Sequence, residues 1–271
     1  MLPVLFTVGD YTIHTYGVAI GVALYGGIAG AVALGKRAGI PASRLWDLGI
    51  LLLVGGVLGA RLEYARTHWA ETYAAHPVRI LDFREGGLVF YGGLVGAMGC
   101  MWAYAAGRRM GVLRVFDVYA PFVPLGHALG RLGCFAAGCC YGAPTTVPWA
   151  VRFPPGSEAP PGVALHPTQL YEAVYCGLLG LALLAYWPRR RHDGEVLAAL
   201  LILYPAFRAV NELFRGDAIR GTTVFGLSNA QATSILLGAF GVGLLLFRPR
   251  ADGRRAAPPR PRPPDPVMPP P

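Results

Sequence analysis

The amino-acid sequence predicts an all-α membrane protein with about seven transmembrane helices. Only 14% of the 271 residues are charged and 54% are hydrophobic, whereas a soluble domain carries about 25% charged residues. Apolar runs long enough to cross a hydrocarbon core, which takes about 20 residues, recur along the chain without the alternation of barrel strands. The predicted spans are 13–34, 45–64, 87–106, 115–133, 167–187, 195–214 and 227–247.

Two of these spans, the fourth and the sixth, are interrupted by proline and by polar side chains. The residues concerned are Pro121, Pro124, His127, Arg131, Pro205 and Arg208. Broken helices are tolerated at membrane depth where they line a cavity. We therefore expect helix breaks at these prolines and a cavity that lipid can enter.

Glycine spacing predicts close packing between the second and third spans. Gly55 and Gly59 lie four residues apart, as do Gly92 and Gly96. Small residues at this spacing let transmembrane helices approach closely. We interpret both pairs as packing features.

The distribution of basic residues predicts the orientation in the membrane. If the spans alternate, the loops after spans one, three, five and seven hold most of the 24 Lys and Arg residues on one side. That side is cytoplasmic by the positive-inside rule, so the N-terminus is outside and the C-terminus is cytoplasmic. The net charge of +9 then requires no nucleic acid. Because Lys36 is the first cationic side chain, no cleaved signal peptide is expected.

The chain is divided by composition into two parts. Residues 1–250 form the predicted seven-span membrane domain, and residues 251–271 contain nine prolines and four arginines. Such a segment buries too little apolar surface to fold. It is predicted to be a disordered cytoplasmic tail.

Six spans carry polar residues at a similar depth, in the outer half of the membrane. Ionisable groups within a bilayer are costly and usually mark a functional interior. Two interpretations remain open. Arg61 could pair with Glu63 or Glu172, and Arg208 with Glu212, simply to neutralise charge. Alternatively, Arg131 and Arg208 exceed the carboxylates around them and hold a phosphate, which suits the guanidinium group.

Six motifs in order resemble one enzyme family. They are "IHTYG", "GARLEY", "GGLVFYGGLVG", "APFVPLGHALGRLGCF", "HPTQLYEA" and "YPAFRAVNELFRGD". The sequence resembles the prolipoprotein diacylglyceryl transferases over residues 13–246. The resemblance implies a multi-pass enzyme of the bacterial plasma (inner) membrane, surrounded by membrane lipids. It would move the diacylglyceryl group of phosphatidylglycerol to the lipobox cysteine of a preprolipoprotein signal peptide, releasing glycerol phosphate.

The resemblance and the depth pattern together imply the site residues. Arg131 and Arg208 match the family's essential arginines, and with His127 and Tyr91 they form the predicted catalytic set. The predicted substrate-binding residues are Tyr16, Arg61, His166, Gln169, Tyr171, Tyr204, Glu212 and Arg215.

The sequence departs from the family pattern at two blocks. Tyr91 stands where the family's "HGGL" block has histidine, and a phenol is a poorer base than imidazole near neutral pH. In the block "GRxGNFxNxExxG", this chain has Cys134, Ala137 and Cys139 in place of Asn, Asn and Glu. Two alternatives therefore stay open. One is a same-fold enzyme for another thiol or phospholipid, and the other is a non-catalytic lipid-binding membrane protein.

Helical spacing suggests what replaces the missing histidine. His127, Arg131 and Cys134 would lie on one face of the fourth span, because residues three and four apart are neighbours. We expect His127 to act as the surrogate base, with Tyr91 as a positioning group. The alternative is that His127 only hydrogen-bonds a backbone carbonyl freed by Pro124.

Three cysteines follow at the outer end of this span. For Cys134, Cys139 and Cys140 the sequence leaves three possibilities: packing as free thiols, a disulfide, or a metal site. A compartment outside the plasma membrane permits disulfides, whereas "CxxxxCC" is not a common zinc spacing. Neither a metal nor a cofactor is expected from the sequence.

The predicted orientation is testable by labelling. In an otherwise cysteine-free variant, a reporter cysteine near Ser157 should react with an impermeant reagent added outside intact cells. A reporter near His192 should react only after permeabilisation. The reverse pattern would overturn the outward-facing site.

Overall fold

The computed structural model describes residues 4–8, 11–82, 86–216 and 226–247. The predicted tail, residues 251–271, lies outside the described residues. Eight α-helices are described: α1 Thr15–Arg37, α2 Ala42–Thr67, α3 Phe90–Gly107, α4 Val112–Tyr119, α5 Phe122–Ala137, α6 Thr168–Tyr186, α7 Glu195–Glu212 and α8 Asn229–Leu246.

A mainly helical membrane fold is confirmed, and every predicted span coincides with helix. Within the described ranges, three helical segments are long and apolar enough to cross a membrane: Thr15–Arg37, Ala42–Thr67 and Thr168–Arg189. Many large apolar side chains point outward, including Val22, Leu178 and Leu236. On a soluble protein such a surface would favour aggregation, whereas in a bilayer these side chains face lipid.

Short strands correct the all-α prediction. Strand β1 (Val4–Val8) pairs antiparallel with β2 (Tyr11–His14) immediately before α1, and β3 (Val151–Arg152) pairs with β4 (Ala164–Leu165) in the loop before α6. The first hairpin is rich in Val, Thr and aromatic residues, which favour extended backbone. The predicted first span, 13–34, therefore begins two residues too early, inside β2.

Proline interrupts the fourth span but not the sixth. Helix α4 ends at Tyr119 and α5 begins after Pro121, as predicted. Pro124 lies in the first turn of α5, where the missing N–H has no intrahelical partner to lose. Pro205 lies inside a continuous α7. The predicted breaks at Pro124 and Pro205 are therefore wrong.

The predicted glycine contacts join α2 to α3. A Cβ added to Gly59 would lie 2.3 Å from the carbonyl oxygen of Gly92, and one added to Gly96 would lie 2.3 Å from that of Gly55. The backbones are thus too close for any side chain at these positions. The packing interpretation of both pairs is confirmed.

A buried carboxylate fixes the beginning of α7. Asp117, on α4 and fully buried, accepts hydrogen bonds from the backbone N–H groups of Gly194 at 2.7 Å and Leu197 at 2.9 Å. These are donors that the first turn of a helix leaves unsatisfied. The Arg190 guanidinium lies 3.7 Å from the same carboxylate. Helix α4 therefore caps α7 across the bundle.

The glycine contact predicts a position-specific loss of stability. Gly59→Ala should lower the thermal unfolding temperature in detergent, because the helices must separate; overpacking of this kind costs about 1–3 kcal/mol. Gly99→Ala is the matched control, since an added Cβ at Gly99 on α3 meets nothing within 4 Å. Equal unfolding temperatures for the two variants would contradict the close approach.

Candidate active site

One buried carboxylate organises the polar residues of three helices. Glu172, near the start of α6, is 0% exposed. Its Oε1 lies 2.9 Å from Nε2 of His127, and its Oε2 lies 3.0 Å from Nε of Arg131. From α7, Asn211 donates to Oε2 at 3.2 Å, and Nε of Arg208 lies 3.9 Å from Oε1. Helices α5, α6 and α7 therefore meet around a single acidic group.

Helical spacing explains why these side chains converge. His127 and Arg131 are four residues apart on α5, and Nε of Arg131 lies 3.2 Å from Nε2 of His127. Arg208 and Glu212 are four apart on α7, with Nη1 and Oε2 at 2.5 Å. Both spacings place side chains on one helix face. The predicted contact between His127 and Arg131 is confirmed.

The expected excess of arginine over carboxylate is wrong. Glu172 contacts both guanidinium groups, and Glu212 pairs with Arg208. Even so, the described residues offer no hydrogen-bond partner to Nη1 and Nη2 of Arg131 or to Nη2 of Arg208. None of the three is among the fully buried nitrogens that lack a partner. Each of these three nitrogens is therefore at least partly accessible.

The contacts of His127 indicate its tautomer. Nε2 of His127 lies near both Glu172 and Arg131, but it cannot donate to the first and accept from the second at the same time. Because Arg131 already donates to the other carboxylate oxygen of Glu172, it does not need His127 as an acceptor. A proton on Nε2 satisfies Glu172 and leaves Nδ1 as the acceptor. The ring of Tyr204 lies edge-on to the imidazole at 5.7 Å. The described residues do not show the alternative bond from His127 to a carbonyl freed by Pro124.

Arg61 occupies a different environment from the Glu172 cluster. The side chain is 2% exposed, and it donates to the backbone carbonyls of Arg79, Ile80, Asp82, Gly86 and Gly87. Glu63 pairs instead with Arg66 at 2.7 Å. Pairing of Arg61 with Glu63 or Glu172 is therefore wrong. The guanidinium anchors the segment that connects α2 to α3.

The predicted tyrosines are dispersed. Tyr91 is exposed on the first turn of α3, where its ring contacts Phe90; none of its described contacts reaches the Glu172 cluster. Tyr16, on the first turn of α1, packs against α5, and a Cβ added to Gly133 would lie 3.1 Å from its ring. Tyr16 and Tyr204 thus flank the cluster, whereas Tyr91 does not join it.

A group of aromatic and polar residues lies at the start of α6. The hydroxyl of Tyr171 lies 3.1 Å from Nδ1 of His166 and accepts a hydrogen bond from Nε1 of Trp149 at 2.7 Å. The His166 ring also contacts Phe214 at 5.3 Å. The structure therefore places His166 and Tyr171 in a packed group that holds the loop before α6 against the end of α7.

The end of α5 brings the three cysteines together. Gly138, with φ of 76°, donates its N–H to Phe135, while Cys139 donates its N–H to the carbonyl of Cys134. This is a Schellman motif, in which the residues at the positions of Cys134 and Cys139 characteristically touch. Cys140 follows with φ of 59°. All three sulfur atoms lie within 4.8 Å of one another.

Buried residues of α6 hold this turn in place. Nε2 of Gln169 donates to the Cys139 carbonyl at 2.7 Å, and Oγ1 of Thr168 donates to the Cys140 carbonyl at 3.0 Å. Both side chains are 0% exposed. Gln169, predicted to bind substrate, therefore supports the cysteine turn.

Neighbouring groups stabilise a negative charge on Cys140. The neighbouring thiols of Cys134 and Cys139 lower the pKa of Cys140, and so do the guanidinium of Arg215 and the charge of Arg131, against the opposing effect of burial. Arg215, predicted to bind substrate, thus contacts the thiol cluster.

Sequence reasoning left Glu172 and Asn211 out of the predicted site. Glu172 was considered only as a partner that neutralises charge, yet it is the group that the other side chains share. Its position in the block "HPTQLYE" was the available signal, since a carboxylate in a membrane helix needs a partner or a function.

The fold and the site define an α-helical membrane protein in which one buried carboxylate contacts two arginines. The chain belongs to the prolipoprotein diacylglyceryl transferase family, whose model matches residues 3–247. Three relatives are named phosphatidylglycerol–prolipoprotein diacylglyceryl transferase. The one from Bordetella parapertussis is 38% identical over 93% of this chain and 97% of its own length. The one from Clostridium tetani is 34% identical over 92% of this chain and 99% of its own length. The one from Nitratidesulfovibrio vulgaris (strain Miyazaki F) is 37% identical over 92% of this chain and 94% of its own length.

The shared carboxylate predicts a large effect of one neutral substitution. Glu172→Gln keeps the shape of the side chain but leaves Arg131 and Arg208 with Glu212 alone. Breaking a buried ion pair costs about 3–5 kcal/mol, so the thermal unfolding temperature should fall clearly. Glu158→Gln, at an exposed position in the loop between α5 and α6, is the charge-matched control. An unchanged unfolding temperature for Glu172→Gln would show that the carboxylate does not hold the cluster.

Proposed function

We propose that this protein transfers the diacylglyceryl group of phosphatidylglycerol to the lipobox cysteine thiol of preprolipoproteins, and that the Glu172 cluster is where it does so. Family membership supports the reaction, as do the names of relatives that match nearly the whole chain. The observation that carries the site is the pair Arg131 and Arg208. Both are held by a buried carboxylate and still have guanidinium nitrogens that reach open space.

The arginines bind and stabilise the leaving group. The free guanidinium nitrogens donate hydrogen bonds to the phosphate oxygens of the lipid. The substrate thiolate attacks the glyceryl carbon, the carbon–sulfur bond forms, and the carbon–oxygen bond to phosphate breaks. Glycerol phosphate leaves with the electron pair of that bond. Charged donors placed where this negative charge develops lower the barrier.

His127 supplies the acceptor for the thiol proton. With the proton on Nε2 directed at Glu172, Nδ1 keeps its lone pair, and the carboxylate stabilises the imidazolium that forms on protonation. Glu172 thus orients the base and the phosphate-binding Arg131 at once. Tyr91 lies away from this centre, and we assign it a role in positioning lipid at the exposed start of α3.

The membrane arrangement completes the proposal. Seven spans, with the N-terminus outside and the C-terminus in the cytoplasm, place the cluster in the outer half of the plasma membrane. Phosphatidylglycerol then enters a cavity sideways from the bilayer, and the signal peptide presents its cysteine from the same side. Broken and polar segments face such a cavity because exposing their polar groups to lipid costs free energy.

Complementation tests this function against the two alternatives. The wild-type chain should restore growth and lipoprotein modification to a bacterial strain depleted of its own transferase. Arg131→Ala and Arg208→Ala should each abolish transfer while the protein stays in the membrane, since loss of one charged donor typically costs about 2.7–4 kcal/mol. Arg66→Ala, at an exposed pair on α2, should retain activity. Normal activity of either site variant would overturn the phosphate role, and a wild-type chain that fails to transfer would favour an alternative.

The proposed base predicts a characteristic pH response. His127→Gln should lose most transfer activity near neutral pH and recover part of it at higher pH, where more substrate thiol is already ionised. Tyr91→Phe should be milder. Transfer rates across a pH series check both. Full activity of His127→Gln at neutral pH, or greater damage from Tyr91→Phe, would exclude this assignment.

A further inference from the structure

We propose that Cys134, Cys139 and Cys140 bind one Zn²⁺ ion with an open fourth position, and that the substrate cysteine thiol occupies this position before transfer. The inference rests on the proposed function, because it gives that reaction a means of activating its nucleophile. It replaces the expectation, drawn from the cysteine spacing, that no metal is bound.

The backbone arranges the three sulfur atoms as a ligand set. The Schellman turn at Gly138 joins Cys134 to Cys139, and the left-handed conformation of Cys140 directs a third thiol to the same point. Zinc–sulfur bonds of about 2.3 Å in a tetrahedron put the sulfurs about 3.8 Å apart. The separations here are within 4.8 Å, so small side-chain rotations are enough to close the site.

The three cysteines lack a fourth protein ligand, as the protein ligands of a catalytic zinc site do. Within the described residues, no fourth His, Cys, Asp or Glu ligand atom joins the three thiols. Structural zinc sites use four protein ligands, whereas catalytic sites use three and leave one position to water or substrate. A disulfide would use two of the cysteines and leave the third without a role.

The surrounding charges suit an anionic metal–thiolate centre. Three thiolates around Zn²⁺ carry one net negative charge, and a fourth raises it to two. Arg131 lies one helical turn before Cys134 on α5, and Arg215 is joined by a β-bridge to Gly142, two residues after Cys140. Two arginines thus lie beside the cysteine turn, one of them belonging to the proposed phosphate site.

The chemistry balances without another reactant. Binding of Zn²⁺ releases three thiol protons, and a water fills the fourth position. The substrate thiol displaces this water, coordination favours its thiolate form, and the released proton passes through solvent to Nδ1 of His127, the proposed base. The bound sulfur then attacks the glyceryl carbon. The thioether produced is a neutral, weak ligand, so it leaves and water returns.

Metal content is the first test. The full chain, purified in detergent under reducing conditions without chelator, should contain one zinc ion per chain by plasma mass spectrometry. Cys134→Ser, Cys139→Ser and Cys140→Ser should each retain less than a tenth of the zinc. Cys100→Ser, in α3 and packed against Gly55, should retain all of it. A wild-type protein without zinc, or with a disulfide among the three cysteines under these conditions, would overturn the proposal.

Cobalt substitution tests the fourth position independently of activity. Co²⁺ in the site should give a sulfur-to-cobalt charge-transfer band. A signal-peptide segment with its lipobox cysteine should raise the intensity of this band by about one third, from three thiolates to four. The same peptide with serine should leave it unchanged. If the cysteine peptide leaves the intensity of the band unchanged, the substrate role of the site is wrong.

The two proposals fail in different ways. Full diacylglyceryl transfer by a variant with serine at all three positions, beside an inactive Arg131→Ala variant, would sustain the proposed function and overturn the zinc site. A zinc-containing protein whose cobalt band responds to the cysteine peptide, but which does not complement, would sustain the thiol site and overturn diacylglyceryl transfer.

Discussion

The site depends on one carboxylate that is shared among three helices. Glu172 is fully buried and accepts from α5 and α7 while it belongs to α6. A charge in a membrane interior is stable only when it is paired and hydrogen-bonded. Neither His127 nor Arg131 is therefore placed by its own helix alone, because each is oriented by the same acidic group. Glu172 contacts Nε of both arginines, so the terminal nitrogens of Arg131 stay free for the phosphate contact that we propose.

Much of this arrangement could be predicted from helical periodicity and from the free-energy cost of polar groups in a membrane. Apolar runs gave the positions of the helices, four-residue spacing gave the His127–Arg131 contact, and the glycine pairs gave the α2–α3 interface. These are local properties of a helix, so they can be counted along the chain. The distinction between Pro121, which separates two helices, and Pro205, which lies within one, could not be predicted in this way. It depends on whether neighbouring elements satisfy the backbone groups that proline leaves open.

The partners of buried charges were harder to predict from the sequence. The sequence left open whether Arg61 pairs with Glu63 or Glu172 or binds substrate; in the structure it donates to backbone carbonyls of the segment after α2. Glu172 was expected only to neutralise charge, but it is central. Sequence specifies which groups need partners, whereas the choice between an acidic side chain and a row of carbonyls depends on loop geometry. The three cysteines show the same limit, because their meeting point is set by a left-handed glycine and by hydrogen bonds from α6.

The two carboxylates that contact α7 have a consequence for how the bundle can move. Asp117 binds the backbone at the start of α7, and Glu172 binds Asn211 near its end. The helix is thus fastened at both ends by charged groups from two other helices, which prevents it from sliding along its axis or rotating about it without losing buried contacts. A piston-like stroke of α7 would break both sets of buried contacts at once, so it is a costly way to open the site. For the lipid of the proposed reaction, we expect a path that opens by lateral displacement of helices that are not fastened in this way.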